Sequence, residues 1–275
     1  MQQAAASLRS KGKRIGLVPT MGSLHEGHLS LILGIREKVD FVITSVFVNP
    51  RQFGPEEDFE RYPRNLERDC SLAFGAGADA VFAPTAEEMY PDGFQTSIEV
   101  GRVGEPLEGT VRPGHFQGVA TVVLKLLIIT SPHVAIFGRK DAQQLAVVRS
   151  LVRDLNLDVE IIGAPIVREA DGLAMSSRNV YLTTEQRAEA AVLYRSLRLA
   201  ESRVMEGSRD PAEIIEAMRR EIHEKSSGEI DYISIAHEHT LEELESLSSG
   251  DKVLVSLAVR FGTTRLIDNC NLVVQ

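Results

Sequence analysis

Residues 19–28 (PTMGSLHEGH) carry two histidines and two glycines between a predicted strand and a predicted helix. Gly22 and Gly27 let the backbone approach a ligand closely, and the amides at a helix start favour phosphate. His25 and His28 lie three residues apart, so both imidazoles face the same side of a helical turn. This spacing predicts a phosphate-handling loop.

Two other interpretations of the histidine pair have to be weighed. A zinc protease motif, H-E-x-x-H, places its histidines four residues apart on one helix face. Here His25-Glu26-Gly27-His28 is one residue too short for it. The second interpretation is that the histidines only cap or satisfy local backbone groups, and for an isolated H-x-x-H pair this alternative stays open.

Further candidates follow other predicted strands or loops. Lys140 lies in GRKD at the end of a strand, where a lysine in isolation is more often solvated than ligand-bound. Residues 175–178 (MSSR) offer hydroxyls and a guanidinium to phosphate, although without context they are a polar loop. Glu108, Arg112 and His115 form a charged cluster that fits either a salt-bridged helix start or a direct substrate role.

The elements that position these residues alternate between strand and helix. Apolar, β-branched runs predict strands, and helical periodicity predicts helices. Strands are predicted at residues 14–19, 41–48, 80–83, 134–137 and 159–162, and helices at the opening and at residues 29–39, 65–75, 119–129 and 143–155. This alternation predicts right-handed βαβ crossovers and an α/β, doubly wound, Rossmann-like parallel sheet.

The pattern changes after residue 183. Helices are predicted at 185–205 and 211–225, strands at 230–235, 252–259 and 266–274, and a solvated amphipathic helix over the acidic run 238–245. We therefore expect two domains, a Rossmann-like domain over residues 1–178 and a smaller C-terminal α+β lid domain over residues 179–275.

The composition is that of a globular protein with an acidic surface. The 275 residues are 43% hydrophobic and 25% charged, and the net charge of -9 argues against nucleic acid or an anionic membrane as partner. Cys70 and Cys270 lack C-x-x-C spacing, so neither a disulfide framework nor a zinc cluster is indicated. Without a membrane-length apolar run or a secretory signal, a cytoplasmic location is expected.

These motifs occur with further blocks in a fixed order. PTMGSLHEGH resembles the H-x-G-H nucleotide-binding signature of the nucleotidylyltransferase superfamily, in the form found in pantothenate synthetases. The blocks that resemble that family are VFVNPRQF (46–53), YPR (62–64), RPGHF (112–116), FGRKDAQQ (137–144), GLAMSSRN (172–179) and RLIDN (265–269). The chain starts only a few residues before its first strand, so an N-terminal element present in many relatives is expected to be missing.

The resemblance implies roles for particular residues. Catalytic roles are implied for His25, His28, Lys140 and Arg178. ATP contacts are implied for Met21, Gly22, Ser23, Leu24, His25, Glu26, Gly27, His28, Gly138, Arg139, Lys140, Asp141, Val167 (through its backbone), Met175, Ser176, Ser177 and Arg178. Gln52 and Gln144 are implied to hold pantoate, and Asp69 to be associated with magnesium. Family members often carry glutamate where this chain has Arg139.

The implied reaction is a two-step ligation in a homodimer. Pantoate and ATP with Mg²⁺ give pantoyl adenylate and pyrophosphate, and the amine of β-alanine then attacks to yield pantothenate and AMP. One rival is a nucleotidylyltransferase that stops at an adenylated product, which the blocks around Gln52 and Gln144 disfavour. Another is an ATP-binding regulatory module, which the histidines, Lys140 and Arg178 disfavour. The acidic charge disfavours an aminoacyl-tRNA synthetase.

Overall fold

The computed structural model describes residues 1–55 and 57–275, which form two compact units. Unit 1 comprises Met1–Arg139 and Gln143–Pro165, and unit 2 comprises Lys140–Ala142 and Ile166–Gln275. The sequence predicts a domain boundary near residue 178. In the structure, the C-terminal unit begins earlier in the chain and also includes the short segment that carries Lys140.

Unit 1 is built on a five-stranded parallel sheet with the strand order β3-β2-β1-β4-β5. The strands are β1 (Ile15–Thr20), β2 (Phe41–Val46), β3 (Ala80–Phe82), β4 (Val134–Gly138) and β5 (Glu160–Ala164). β1 pairs with β2 on one side and with β4 on the other. The strand order reverses between β1 and β4, and sheets of this kind bind ligands at the carboxyl ends of the strands beside such a reversal.

Helices cover both faces of this sheet. They are α1 (Gln2–Ser10), α2 (Glu26–Arg36), α3 (Leu66–Gly75), α4 (Ala86–Met89), α5 (Glu108–Val111), α6 (His115–Thr130) and α7 (Ala142–Asp154). In β4, Ala135 and Phe137 join the core that contains α6, whereas Val134 and Ile136 join the core that contains α2. Burial on both faces explains why the parallel strands are continuous apolar runs.

Unit 2 has a separate α+β architecture. Its antiparallel sheet has the order β6 (Glu229–His237), β7 (Lys252–Phe261) and β8 (Thr264–Val273). Its helices are α8 (Thr184–Ala190), α9 (Val192–Met205) and α10 (Pro211–Lys225). The predicted fold class, a Rossmann-like parallel sheet with a smaller C-terminal α+β region, is confirmed.

Two secondary-structure predictions in unit 2 are wrong. The helix predicted at 185–205 is interrupted at Ala191, whose backbone N–H bonds to Glu189 O and ends α8. Residues 190–193 are all apolar and buried, so their sequence shows no periodicity that would reveal the break. The acidic run 238–245 is a turn after β6, in which Leu241 is buried with φ 59° and Glu243 bridges Ala236.

Two of the composition-based expectations concern covalent and membrane features. Cys70 and Cys270 are both free thiols. Over residues 1–55 and 57–275, every helix is too short or too polar to cross a membrane.

Candidate active site

The turn after β1 is shaped by unusual backbone angles and by a threonine. Gly22 has φ 85° and Ser23 has φ 50°, both in the left-handed region. Thr20 Oγ1 donates to Ser45 O at 2.7 Å and accepts from Gly22 N at 3.1 Å. These contacts tie the turn to the end of β2. These contacts therefore give the turn a defined conformation.

A buried carboxylate holds the next part of this turn. Asp69 on α3 accepts hydrogen bonds from Ser23 N and Leu24 N, both at 2.8 Å, and its side chain is 1% exposed. A Cβ added to Gly22 would lie 2.9 Å from Asp69 Oδ2, so the chain passes very close to the carboxylate. Asp69 thus anchors the backbone that leads into His25.

The histidines cap the start of α2. His25 is the N-cap residue, and its Nδ1 accepts from Gly27 N at 3.2 Å. His28 Nδ1 accepts from His25 N at 3.4 Å, and the ring centroids are 4.1 Å apart. A neutral imidazole whose Nδ1 accepts a hydrogen bond carries its proton on Nε2. Capping and phosphate handling are therefore compatible, because they use opposite nitrogens of the same ring.

Gln52 lies on a platform built from the end of the VFVNPRQF block. Asn49 is buried; its Nδ2 donates to Gly118 O at 3.1 Å, and its Oδ1 accepts from Tyr90 Oη at 2.8 Å. Burial raises the pKa of Tyr90 to about 12, so the phenol keeps its proton and donates. A Cβ added to Gly118 would lie 2.1 Å from Arg51 O. Only glycine permits α6 to pack this closely on the segment before Gln52.

The charged cluster at 108–115 also supports Gln52. Arg112 binds the Glu57 carboxylate through two hydrogen bonds, at 2.8 and 2.5 Å, and lies 3.8 Å from Glu108. His115 Nδ1 donates to Gln52 O at 2.9 Å, and Arg112 Nη1 donates to His115 Nε2 at 3.2 Å. The salt-bridged interpretation of this cluster is confirmed. The cluster contacts Gln52, which is predicted to bind substrate, through the backbone carbonyl of that residue.

This cluster predicts a pH dependence of stability. Burial and, secondarily, the Arg112 charge lower the pKa of His115 to about 4 from 6.5, outweighing the hydrogen bond to Gln52 and the charges of Glu108 and Glu57. The unfolded chain therefore binds this proton first as the pH falls. The stability contribution is complete above pH 6.5 and is lost progressively down to pH 4, by roughly 3 kcal/mol.

We expect His115→Gln to flatten the pH dependence of unfolding between pH 6.5 and pH 4. Urea unfolding at several pH values measures it, with His223→Gln on the exposed surface of α10 as the matched control. If the wild type and His115→Gln lost stability equally over this range, His115 would not be the titrating group.

The two adjacent glutamines of FGRKDAQQ have different environments. Gln143 is 5% exposed; its Nε2 donates to Pro106 O at 2.7 Å and Val103 O at 3.1 Å, and its Oε1 accepts from Glu108 N at 3.0 Å. Gln144 is half-buried. Gln143 therefore anchors the segment before α5, a role that the sequence alone does not reveal because two adjacent glutamines look alike.

The GRKD block follows β4. Arg139 is exposed, and its Nε donates to Gly163 O at 3.2 Å, which ties it to β5. Lys140 is half-buried in the 3-10 helix Arg139–Asp141, and its carbonyl accepts from Asn269 Nδ2 at 2.7 Å. Arg139, the residue at which this block differs from the common family pattern, thus contacts a neighbouring strand.

Residues 175–178 (MSSR) are held by a polar network within unit 2. Ser176 Oγ accepts from Arg178 N at 3.3 Å, and Met175 N donates to Val167 O at 3.0 Å. Asn179 Nδ2 donates to Glu169 Oε1 at 2.8 Å, and Arg187 also binds Glu169, at 2.5 Å. The segment is therefore an ordered turn of defined shape.

The structure places the predicted residues in two sets. His25, His28, Gln52 and Asp69 belong to unit 1, as do the rest of the first loop and Gln144, while Lys140, Asp141, Val167 and residues 175–178 belong to unit 2. In the described part of the chain, no group of three or more His, Cys, Asp or Glu side chains is placed to hold a metal. The donors around Asp69 fit loop support better than metal ligation, and its magnesium role stays a prediction.

Comparison with known proteins gives consistent matches. The model of the pantoate-beta-alanine ligase family matches residues 1–271. Pantothenate synthetase from Roseiflexus sp. (strain RS-1) is 58% identical over 255 residues, covering 93% of this chain and 91% of that protein. Pantothenate synthetase from Chloroherpeton thalassium is 52% identical over 273 residues, covering 99% and 96%.

Solved structures agree with these matches. The crystal structure of pantothenate synthetase from Thermus thermophilus superposes with a TM-score of 0.90 at 50% identity, covering 97% of this chain and 96% of that chain. Pantoate-beta-alanine ligase from Francisella tularensis, complexed with beta-gamma ATP and beta-alanine, superposes with a TM-score of 0.79 at 35% identity, covering 98% and 94%.

Proposed function

We propose that the turn between β1 and α2 is the phosphate-binding centre of this chain. The chain belongs to the pantoate-beta-alanine ligase family and is an ATP-dependent ligase that forms pantothenate from pantoate and β-alanine. The observation that carries this proposal is the pair of imidazoles whose Nδ1 atoms cap α2. Their Nε2–H groups are donors at a helix N-terminus, where backbone amides also favour anions.

The first step is adenylate formation. A carboxylate oxygen of pantoate attacks the α-phosphorus of ATP, the bond to pyrophosphate breaks, and negative charge accumulates on the leaving group. Donors fixed before the reaction stabilise that charge without reorganising. We propose this role for His25 and His28, and the same role implied by the resemblance for Lys140 and Arg178 stays a prediction. The remaining predicted ATP contacts surround these four residues in sequence.

The second step is amide formation. The free amine of β-alanine attacks the acyl carbon of the adenylate, AMP leaves with its electron pair, and the amine releases a proton. The adenylate is already activated, so orientation of the two reactants provides much of the rate. Gln52 and Gln144 suit this task because an amide both donates to a carboxylate and accepts from a hydroxyl.

The buried supports of Gln52 fit a positioning role. Its carbonyl accepts from His115, and the preceding turn is fixed by Asn49 and Gly118. A backbone held in this way limits the positions that the side-chain amide of Gln52 can take before substrate binds, which lowers the cost of binding. Mg²⁺ would enter with ATP and neutralise phosphate charge. We also propose that the protein is cytoplasmic and forms a homodimer. Light scattering of the purified protein measures its mass in solution and so tests the dimer.

An omission assay tests this function against its rivals. The protein is incubated with ATP, Mg²⁺, pantoate and β-alanine, each omitted in turn, while AMP, pyrophosphate and pantothenate are followed. We expect multiple turnovers of AMP and pantothenate only with all components present. Adenylated product that accumulates regardless of the amine would identify a nucleotidylyltransferase, and ATP binding without turnover would identify a regulatory module.

A further inference from the structure

The segment that carries Lys140 belongs to unit 2, although the sequence on either side of it belongs to unit 1. Lys140 lies in the 3-10 helix Arg139–Asp141, directly after β4. Its carbonyl accepts a 2.7 Å hydrogen bond from Asn269 Nδ2 on β8, more than a hundred residues further along the chain. A side-chain amide of unit 2 thus holds the backbone of the lysine.

Asn269 is itself held in one orientation. It is 3% exposed, and its backbone N–H donates to Asp268 Oδ1 at 2.8 Å. Arg168 binds the Asp268 carboxylate through two hydrogen bonds, at 2.6 and 3.0 Å, and its Nη2 donates to Asn269 O at 3.4 Å. Arg168 also stacks on Tyr194, with 4.4 Å from the guanidinium carbon to the ring centre. The amide therefore projects from a rigid ion-paired frame.

The charge in this frame also acts on the lysine. Asp268 is 1% exposed; burial raises its pKa, while Arg168 and, more weakly, Lys140 oppose this rise. Lys140 thus lies within electrostatic range of the Asp268–Arg168 pair. The hydrogen bond from Asn269 thus fixes the backbone from which the Lys140 side chain extends.

We propose that Asn269 is a positioning residue that holds the Lys140 turn in the geometry needed to bind the phosphates of ATP. The proposal rests on the function proposed above. Asn269 and Asp268 belong to the RLIDN block, for which the family resemblance assigned no task. A misplacement of about 1 Å in a group that contacts the reacting atoms costs about 100-fold in rate, so a single backbone contact suffices for a large effect.

The test compares Asn269→Ala with Asn271→Ala, since Asn271 lies on the same strand with its side chain exposed. We expect Asn269→Ala to lower kcat/KM for ATP by about 10- to 100-fold and Asn271→Ala to change it less than about 2-fold. Thermal unfolding of both variants reports whether the strand is intact. Equal kcat/KM values in the two variants would overturn the proposal.

A double-mutant cycle separates positioning from a general structural role. If Asn269 acts through Lys140, then Asn269→Ala lowers single-turnover adenylate formation by less than about 3-fold in the Lys140→Ala background. The same fold-loss in both backgrounds would overturn the proposal, whatever the stability of the variants.

Failure of the proposed function is distinguishable from failure of this inference. Wild-type protein that forms no pantothenate would refute the function. The dissociation constant of ATP, measured by calorimetry for the same cycle, tests the coupling of Asn269 to Lys140 without turnover. Additive effects on that constant would refute the coupling.

Discussion

Replacing His28 with alanine is expected to lower the rate of adenylate formation by about 10³-fold, because a fixed donor to the developing charge is lost. His28 Nδ1 accepts the backbone N–H of His25, which leaves Nε2–H as the donor nitrogen of the neutral ring. The fold should persist, since loss of one helix cap costs only about 1 kcal/mol. Single-turnover formation of pyrophosphate from ATP and pantoate measures the rate.

Two further variants separate capping from catalysis. Asparagine at position 28 places an acceptor near the position of Nδ1, so His28→Asn restores the cap without the distal donor. Glutamine carries its amide nitrogen near the position of Nε2. We expect His28→Asn to be as slow as His28→Ala and His28→Gln to recover part of the rate. Full activity of His28→Asn would show that His28 only caps α2. His223→Ala, on the exposed surface of α10, is the matched control.

Asp69→Asn is expected to lower kcat by about 100-fold at saturating Mg²⁺, because the first loop loses one of the two hydrogen bonds through which Asp69 anchors it. Asp69 accepts from Ser23 N and Leu24 N, both at 2.8 Å. The amide of asparagine can accept only one of these, and its NH₂ group faces the other N–H. A buried N–H without a partner costs about 1 to 3 kcal/mol, so the turn that leads to His25 should shift.

A magnesium titration distinguishes this anchor role from the metal role that the resemblance implies. A loop anchor lowers kcat and leaves the half-saturating Mg²⁺ concentration unchanged. A metal ligand raises that concentration, and excess Mg²⁺ restores the rate. Glu67→Gln is the matched control, since Glu67 lies exposed on the same helix and the charge change is the same. Rescue of Asp69→Asn by Mg²⁺ would contradict the anchor role.

The sequence predicted the scaffold of unit 1 well because its physical signals are local. A parallel strand buried on both faces is a continuous apolar run, and residues 41–48 predicted β2 at Phe41–Val46 for this reason. The signal failed where burial removes periodicity, as at residues 190–193 between α8 and α9. It failed again over residues 238–245, where Leu241 is buried from a turn rather than from a helix.

The chemistry expected of the candidate site follows from the sequence, whereas the contacts that support its residues do not. Spacing and resemblance pointed to His25, His28 and Lys140, because their types and positions suit phosphate. The partners that hold them are far apart in the chain: Asp69 lies 45 residues from Leu24, and Asn269 lies 129 residues from Lys140. A single sequence contains no local signal for such pairs. Only the fold brings them together.

The central claim, that pantoate is activated as an adenylate, is tested most directly by following its carboxylate oxygens. Pantoate carrying ¹⁸O in both carboxylate positions is converted with ATP and β-alanine by the wild-type protein, and the products are analysed by mass spectrometry. We predict one labelled oxygen in AMP, one in the amide carbonyl of pantothenate and none in pyrophosphate. Label in pyrophosphate or phosphate, with unlabelled AMP, would contradict the claim.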